Sequence, residues 1–99
     1  MARIVILAGA ESQLLNLFAR LEDQSEGLGF RFHGDCSTAF ALLAQFPEIA
    51  PLYGGRFRRC LLRKWQVGLF YTFENGHVLV HAALDLRQDP ATIRRLLGL

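Results

Sequence analysis

The apolar positions in the first half of the chain follow two different periods. Arg3–Ala8 is a short run rich in Ile and Val, which predicts a first strand. Glu11–Asp23 and Phe30–Phe46 carry apolar residues three and four positions apart, which predicts two amphipathic helices. The glycine-containing turn Gln24–Gly29 joins them into a helical hairpin, and Pro47 ends the second helix. The predicted core stripes are Leu14, Leu15, Phe18 and Leu21 on the first helix, and Phe32, Cys36, Ala39, Phe40, Leu43 and Phe46 on the second.

The second half of the chain changes to the alternating period of strands. Arg56–Leu62, Gln66–Glu74 and His77–Asp85 predict three strands. Asn75-Gly76 between the last two predicts a type I′ hairpin turn, because the pair tolerates the positive φ that this turn needs at both central residues. The register that follows places Glu74 opposite His77, Phe73 opposite Val78 and Tyr71 opposite Val80.

This register sorts the hairpin into two faces of different character. One face is apolar throughout and is expected to lie against the helices; it holds Val67, Leu69, Tyr71, Phe73, Val78, Val80, Ala82 and Leu84. The other is mixed and is expected to be partly open to a partner; it holds Gln66, Gly68, Phe70, Thr72, Glu74, His77, Leu79, His81, Ala83 and Asp85.

A short final helix closes the chain over Ala91–Leu97. Asp89 is suited to its N-cap, and Pro90 to its first helical position. The element order is therefore β-α-α-β-β-β-α in a single domain of residues 1–99. The fold class predicted is α+β, with a helical hairpin packed on one face of a mainly antiparallel sheet.

Charge is distributed unevenly along the chain. Residues 1–48 hold three arginines against six acids, whereas residues 49–99 hold eight bases against three acids. No acid occurs from Ile49 to Phe73, where the bases are Arg56, Arg58, Arg59, Arg63 and Lys64. Such a segment has two explanations. It indicates an anionic partner, which is either nucleic acid or an acidic protein segment, or it is a strand edge whose charge prevents aggregation.

The remaining composition limits the classes of protein. Neither a signal-peptide core nor an apolar stretch of membrane-spanning length is present, which leads us to expect a cytoplasmic protein without a membrane partner. Cys36 and Cys60 fit no metal-ligand spacing, also when His33 is added, and are expected to be buried thiols. We expect no metal and no cofactor, and we find no phosphate-binding glycine loop and no Ser/His/Asp set.

Several segments together resemble the ParE/RelE superfamily of bacterial toxins, which includes plasmid stabilisation proteins. Leu43–Pro47 resembles the family's L-x-x-F-P helix end, and Tyr53-Gly54-Gly55 its glycine-containing loop. Arg56–Leu61 is similar to its basic strand, and Val67–Tyr71 and His77–Ala83 to the two strands that follow. Asp85–Pro90 resembles its closing R-x-D-P element. The likeness covers about two-thirds of the chain in detail and the rest in element order.

The resemblance implies the toxin of a type II toxin–antitoxin module. Its R-x-D-P ending is similar to the ParE branch, which implies a non-enzymatic poison of DNA gyrase that a cognate antitoxin neutralises. The antitoxin's disordered tail is expected to wrap an apolar, arginine-flanked groove around Phe70, Leu79 and the C-terminal leucines. A homodimer using the same surface, or a toxin–antitoxin hetero-oligomer, stays open. The expected partner-binding residues are Arg56, Arg58, Arg59, Arg63, Trp65, Phe70, Arg87 and Arg94.

The alternative from the same superfamily is a RelE-like ribosome-dependent endoribonuclease that cleaves mRNA. Such an enzyme must activate a 2′-hydroxyl and stabilise a phosphorane, for which arginine, lysine and histidine suffice. The catalytic candidates are Arg56, Arg59, Lys64, His81 and Arg87. Two departures weigh against it: Val67–Phe70 lacks the family's Arg before the strand tyrosine, and no Tyr or His follows Pro90. A domain of this fold without toxicity is the third hypothesis.

Some candidate side chains have an equally simple structural explanation. His81 is more readily a half-buried sheet residue opposite Phe70 than a proton carrier. Trp65 suits either an interface anchor or a cap on the core. Tyr71 is expected on the core face, with a structural role.

Overall fold

The structure, a computed structural model, describes all 99 residues. Strand β1 (Arg3–Ile6) leads through the single residue Leu7 into helix α1 (Ala8–Gln24), which is followed by helix α2 (Leu28–Gln45). The strands β2 (Leu52–Tyr53), β3 (Phe57–Leu62), β4 (Val67–Glu74) and β5 (His77–Asp85) come next, and helix α3 (Pro90–Leu96) ends the chain. A 3₁₀ turn, Arg63–Trp65, joins β3 to β4.

Five strands form one mixed sheet in the order β1-β5-β4-β3-β2. β1 runs parallel to β5, and all other neighbours are antiparallel. Helices α1 and α2 cover one face, while α3 covers part of the other. The α+β class and the helical hairpin are as predicted. The strand β2 was not predicted, because a two-residue strand that pairs only with Phe57 and Arg58 leaves no periodic signal.

The helices begin earlier than their apolar patterns indicated. α1 starts at Ala8 because Ala8, Gly9 and Ala10 continue directly from the strand, and the wholly buried Ala10 lets the first turn lie close to the sheet. α2 starts at Leu28 because its cap comes from α1 and not from its own sequence. The carboxylate of Glu22 accepts hydrogen bonds from the backbone N–H groups of Gly27 at 2.8 Å and Gly29 at 2.9 Å.

The core stripes of the helices are partly as predicted. Phe32, Cys36, Ala39 and Leu43 are buried, but Phe46 is 55% exposed and Leu15 is 61% exposed. On α1 the deepest positions are Ala10 and Leu17. Leu14, Phe18 and Leu21 are half-buried, and Leu14 and Leu21 pack against the core, so only Leu15 falls outside the predicted stripe.

The β4–β5 hairpin has the predicted turn and the predicted register at its tip. Asn75 and Gly76 have φ of 52° and 75°, and Phe73 lies opposite Val78. A β-bulge then inserts His81, because Tyr71 pairs with Val80 whereas Phe70 pairs with Ala82.

The bulge reverses the face assignment beyond His81, so that part of the prediction was wrong. Ala82 and Leu84 lie beneath α3 and not beneath the helical hairpin, while Ala83 packs with the hairpin. Phe73, expected to be buried, is 37% exposed. An extra residue in one strand cannot be read from alternation, because His81-Ala82-Ala83 contains no polar–apolar contrast strong enough to fix the phase.

Helix α3 covers the surface where an open apolar groove was expected. Asp89 caps it by accepting from the N–H of Ala91 at 2.8 Å, and Pro90 is its first residue, as predicted. Ile93 and Leu97 pack on Phe70, which is 0% exposed. Because Phe70 is buried within the fold, it is not available on the surface as the predicted partner contact.

Candidate functional site

A polar pocket of about 480 Å³ opens where β4 extends beyond β3. The last residue of β4 paired with β3 is Tyr71, so Thr72–Glu74 continue with no strand on that side. Eight residues line the pocket: Glu48, Leu52, Arg56, Arg58, Thr72, Phe73, Glu74 and His81. Residues from the loop after α2, from β2 and β3, and from the β4–β5 hairpin thus meet at one place.

His81 and Thr72 form the polar centre of the pocket. The Nε2 atom of His81 lies 2.8 Å from the hydroxyl oxygen of Thr72, and the imidazole stands edge-on to the ring of Phe57, with centroids 5.3 Å apart. Desolvation, and secondly the positive charge of Arg56, lower the pKa of His81 below its usual 6.5. The imidazole is therefore neutral at neutral pH and able to accept a proton.

The two arginines of the pocket differ in how firmly they are held. Arg58 donates to the carbonyl oxygens of Ala50 and Glu48 at 2.9 and 3.1 Å, and it forms an ion pair with the carboxylate of Glu48 at 3.3 Å. Arg56 is exposed, forms no ion pair, and lies with its guanidinium over the ring of Phe57 at 5.1 Å. Arg56 is therefore the cation of this pocket that is free to bind an anionic ligand.

Beside the pocket, Tyr71 has a buried hydroxyl without a hydrogen-bond partner. Desolvation is the largest cause of its raised pKa. The backbone N–H of Ala50, which lies near the hydroxyl but outside hydrogen-bond geometry, and the charge of Arg58 act in the opposite direction. The ring fills the core between the sheet and α2, in a cluster with Leu43 and Val80. The structural role predicted for Tyr71 agrees with this position.

The other predicted site residues lie outside the pocket. Arg59, on the same strand as Arg58, is half-buried with its guanidinium over the ring of Tyr53 at 5.2 Å, and its Nε atom is buried without a partner. Arg87 is exposed, but its guanidinium donates to both carboxylate oxygens of Asp85, from Nε at 3.0 Å and from Nη2 at 2.8 Å. That carboxylate has its pKa lowered, first by this hydrogen bond. Arg94 is exposed on α3.

The 3₁₀ turn after β3 holds three more of the predicted residues. Trp65 donates its indole N–H to Asp35 at 2.8 Å and stands edge-on to Phe32, with ring centroids 5.4 Å apart. It therefore caps the core, one of the two roles that the sequence left open. Lys64 lies over its ring at 5.2 Å, and Arg63 is exposed beside it.

Sequence reasoning missed Glu48, Thr72 and Glu74 as members of the pocket. Thr72 and His81 were both assigned to the mixed face of the hairpin, so their proximity could have been derived from the Asn75-Gly76 register alone. Glu48 follows Pro47 in an irregular segment, and no pattern in the sequence places that segment beside β3. No group of three His, Cys, Asp or Glu side chains is arranged to hold a metal ion.

None of the three helices is long and apolar enough to cross a membrane. Comparison with known proteins does not assign the chain: no family model matches it, and none of the curated proteins matches its sequence.

Proposed function

We propose that the chain is the toxin of a type II toxin–antitoxin pair, with a ParE/RelE-type fold, and that the pocket at Arg56 and His81 contacts its target. The support is the place that the resembling segments take in the fold. The basic segment Arg56–Leu61 contributes most of β3 and supplies Arg56, just before the strand, and Arg58 to the pocket. The R-x-D-P segment starts α3, which covers the same face of the sheet. The observation that carries the proposal is this polar pocket beside the basic strand.

The first target is DNA gyrase, which the ParE-like ending implies. α3 carries no tyrosine or histidine that could assist phosphodiester cleavage. The charges of the pocket are also balanced, since Glu48 and Glu74 accompany the two arginines. A pocket of this kind suits recognition of a protein surface with mixed charge, and the toxin then acts by binding without chemistry of its own.

The second candidate is cleavage of mRNA, and the pair formed by His81 and Thr72 favours it. A neutral His81 is suited to accept the proton of a ribose 2′-hydroxyl as its oxygen attacks the adjacent phosphorus. The P–O5′ bond then breaks, and the leaving 5′-oxygen takes a proton from water or from a protonated side chain. Arg56, free of ion pairs, is placed to stabilise the charge on the non-bridging oxygens.

One set of assays separates these targets. The purified protein is added to gyrase with supercoiled DNA, and separately to ribosomes programmed with mRNA. Accumulation of cleaved DNA complexes supports the first target, whereas mRNA cut within the ribosome supports the second. We expect Arg56→Gln to lower the active readout at least tenfold, while the matched control Arg31→Gln, at an exposed arginine of α2, leaves it unchanged.

A histidine pair tells whether the pocket acts by chemistry or by binding alone. His81→Gln should abolish RNA cleavage if His81 carries a proton, and should leave gyrase poisoning within a few-fold. His77→Gln is the control, because the Nδ1 atom of His77 lies 2.8 Å from the carbonyl oxygen of Asn75 in the turn. A protein that is inert in both assays and harmless on induction would refute the toxin proposal and leave a non-toxic domain of the same fold.

The proposal also includes a cognate antitoxin, which sedimentation can test. The chain alone and together with the product of the neighbouring gene would be compared. A stable complex that abolishes toxicity is the expected result. A chain that ignores this neighbour would contradict the pairing.

A further inference from the structure

The backbone groups at the two edges of the sheet are satisfied by hydrogen bonds to different degrees. Beyond the end of β1, the backbone N–H of Ala83 on β5 would face no strand, but the side chain of Gln13 accepts its hydrogen bond at 2.8 Å. At the opposite side, β2 pairs only with Phe57 and Arg58, and the carbonyl of Pro51 accepts from the N–H of Arg59. From Cys60 to Leu62 no strand covers the outer edge of β3.

The backbone of Leu61 is turned toward this open edge. Arg59 directs its N–H outward to Pro51 at 3.0 Å, and residues two apart in an antiparallel strand direct their backbone groups to the same side. Leu61 therefore presents its N–H away from β4. No side chain of the protein accepts from it, in contrast to Ala83. An unpaired N–H at a half-exposed edge residue is suited to receive another strand.

A groove of about 300 Å³ lies between α2 and this edge. Its floor is apolar, formed by side chains of both elements: Ala39, Leu42, Cys60, Leu61 and Leu62. Leu42 is 41% exposed, and Phe46, the C-cap residue four positions after it, is also exposed. An edge strand beside an apolar groove provides both backbone pairing and side-chain pockets.

The charges at the groove indicate the chemistry of what would occupy it. Arg63 and Lys64 stand at its rim and form no ion pair, while the acid there, Asp35, already accepts from Trp65. A second copy pairing edge to edge would bring two segments of arginines and lysine against each other, which is unfavourable. The free basic groups are instead complementary to carboxylates.

We propose that the outer edge of β3 from Cys60 to Leu62 accepts an extended, acidic and apolar peptide segment of a protein partner. The segment adds a strand to the sheet through the N–H of Leu61. Alternate side chains enter the groove beside Leu42, and its carboxylates lie near Arg63 and Lys64. This inference does not rest on the proposed function, because it uses none of the eight residues that line the pocket.

The test measures binding of a synthetic eight-residue peptide of alternating glutamate and valine, with blocked ends, to the full chain. Fluorescence anisotropy gives the affinity, and hydrogen exchange gives the protection of the Leu61 amide. Leu61→Pro removes the outward N–H without removing a bond to β4, since proline is tolerated at an edge. Loss of about one hydrogen bond should weaken binding about fivefold or more, whereas Leu61→Val, which keeps the N–H and shortens one side chain of the groove, should weaken it less.

Further variants keep the test decisive if Leu61→Pro alters the fold. Leu42→Glu, at an exposed position in the groove, should also abolish binding, and Leu15→Glu, exposed on α1, should not. Arg63→Glu with Lys64→Glu should shift preference to a peptide of alternating lysine and valine. Three outcomes would each overturn the proposal. The first is that the parent binds the lysine peptide, or single-stranded RNA, as tightly as the glutamate peptide. The others are a Leu61 amide that stays unprotected in the complex, and a dimer that buries this edge.

Discussion

His81 shows how one residue connects strand register to the candidate site. The bulge in β5 places His81 and Ala82 on the same face, with His81 at the pocket and Ala82 under α3. Without the bulge, His81 would lie opposite Phe70, as the sequence predicted, and diagonally across from Thr72 on the same face. The shared face of His81 and Thr72 therefore follows from the register of the turn, whereas the position of Ala82 on that face, under α3, follows from an irregularity that sequence alternation cannot reveal.

The titration of His81 provides the first residue-scale prediction. Because its pKa is lowered in the folded state, the unfolded chain binds a proton in a pH range where the folded chain does not. Its contribution to the free energy of unfolding is therefore present above about pH 6.5 and is lost as the pH falls toward the lowered value. Urea denaturation from about pH 8 to about pH 5 should show this decrease, and His81→Gln should lack that part of it. If the free energy of unfolding of His81→Gln changes with pH in parallel with that of the parent, the prediction is wrong.

The unpartnered hydroxyl of Tyr71 leads to the second prediction at the residue scale. Tyr71→Phe removes a buried polar atom that has no hydrogen-bond partner and keeps the packing of the ring. The free energy of unfolding should stay equal or rise by about 1 kcal/mol, because a desolvated group is removed without loss of a bond. Tyr53→Phe, at a half-exposed tyrosine, is the control. A decrease of more than about 1 kcal/mol would indicate a bridging water at this position.

At the scale of elements, the patterns with strong local causes were predictable. The Asn75-Gly76 turn, the cap of α3 by Asp89 and the end of α2 before Pro47 depend on neighbouring residues, and each was correct. The start of α2 was not, because its cap comes from Glu22 on another helix. The coverage of Phe70 by α3 also depends on a tertiary arrangement that sequence periodicity does not contain.

Helix α3 allows a direct comparison of two adjacent leucines. Leu97 is 7% exposed and packs with Phe70, whereas Leu96 is 56% exposed. Leu97→Ala should lower the free energy of unfolding by about 2 kcal/mol or more, since it leaves a cavity above Phe70. Leu96→Ala should change it by less than about 0.5 kcal/mol. Chemical denaturation of both variants measures the difference, and equal losses would show that α3 does not cover the sheet as described.

At the scale of the whole molecule, the first and the last strand of the chain lie side by side in the sheet. β1, the first element, pairs with β5, the last strand, so the sheet closes only when both halves of the chain have come together. The sequence predicted the layers but not this strand order. The reason is that turns fix only neighbours along the chain, while the partner of β1 is chosen by packing of the whole helical hairpin.

The reactivity of the Cys36 thiol can be used to measure whether the two halves of the molecule unfold together. It is 4% exposed in a core cluster that joins both helices of the hairpin to β4 and β5. Burial raises the pKa of its thiol to about 12, so that only about one molecule in 10⁴ carries the reactive thiolate at pH 8. Cys60 is half-buried at the groove beside β3, and desolvation raises its pKa as well.

We therefore predict that alkylation distinguishes the two thiols by the size of the opening that each requires. With Cys60→Ser, modification of Cys36 should depend on urea with the full slope of global unfolding, because Cys36 lies in the cluster that joins the helical hairpin to the sheet. With Cys36→Ser, modification of Cys60 should be faster in the absence of urea and should show a weaker dependence, since local fluctuation of the β3 edge suffices. Mass spectrometry of iodoacetamide-treated protein gives both rates. A shallow urea dependence for Cys36 would mean that the helical hairpin separates from the sheet on its own, and that the two halves of the molecule do not unfold as one unit.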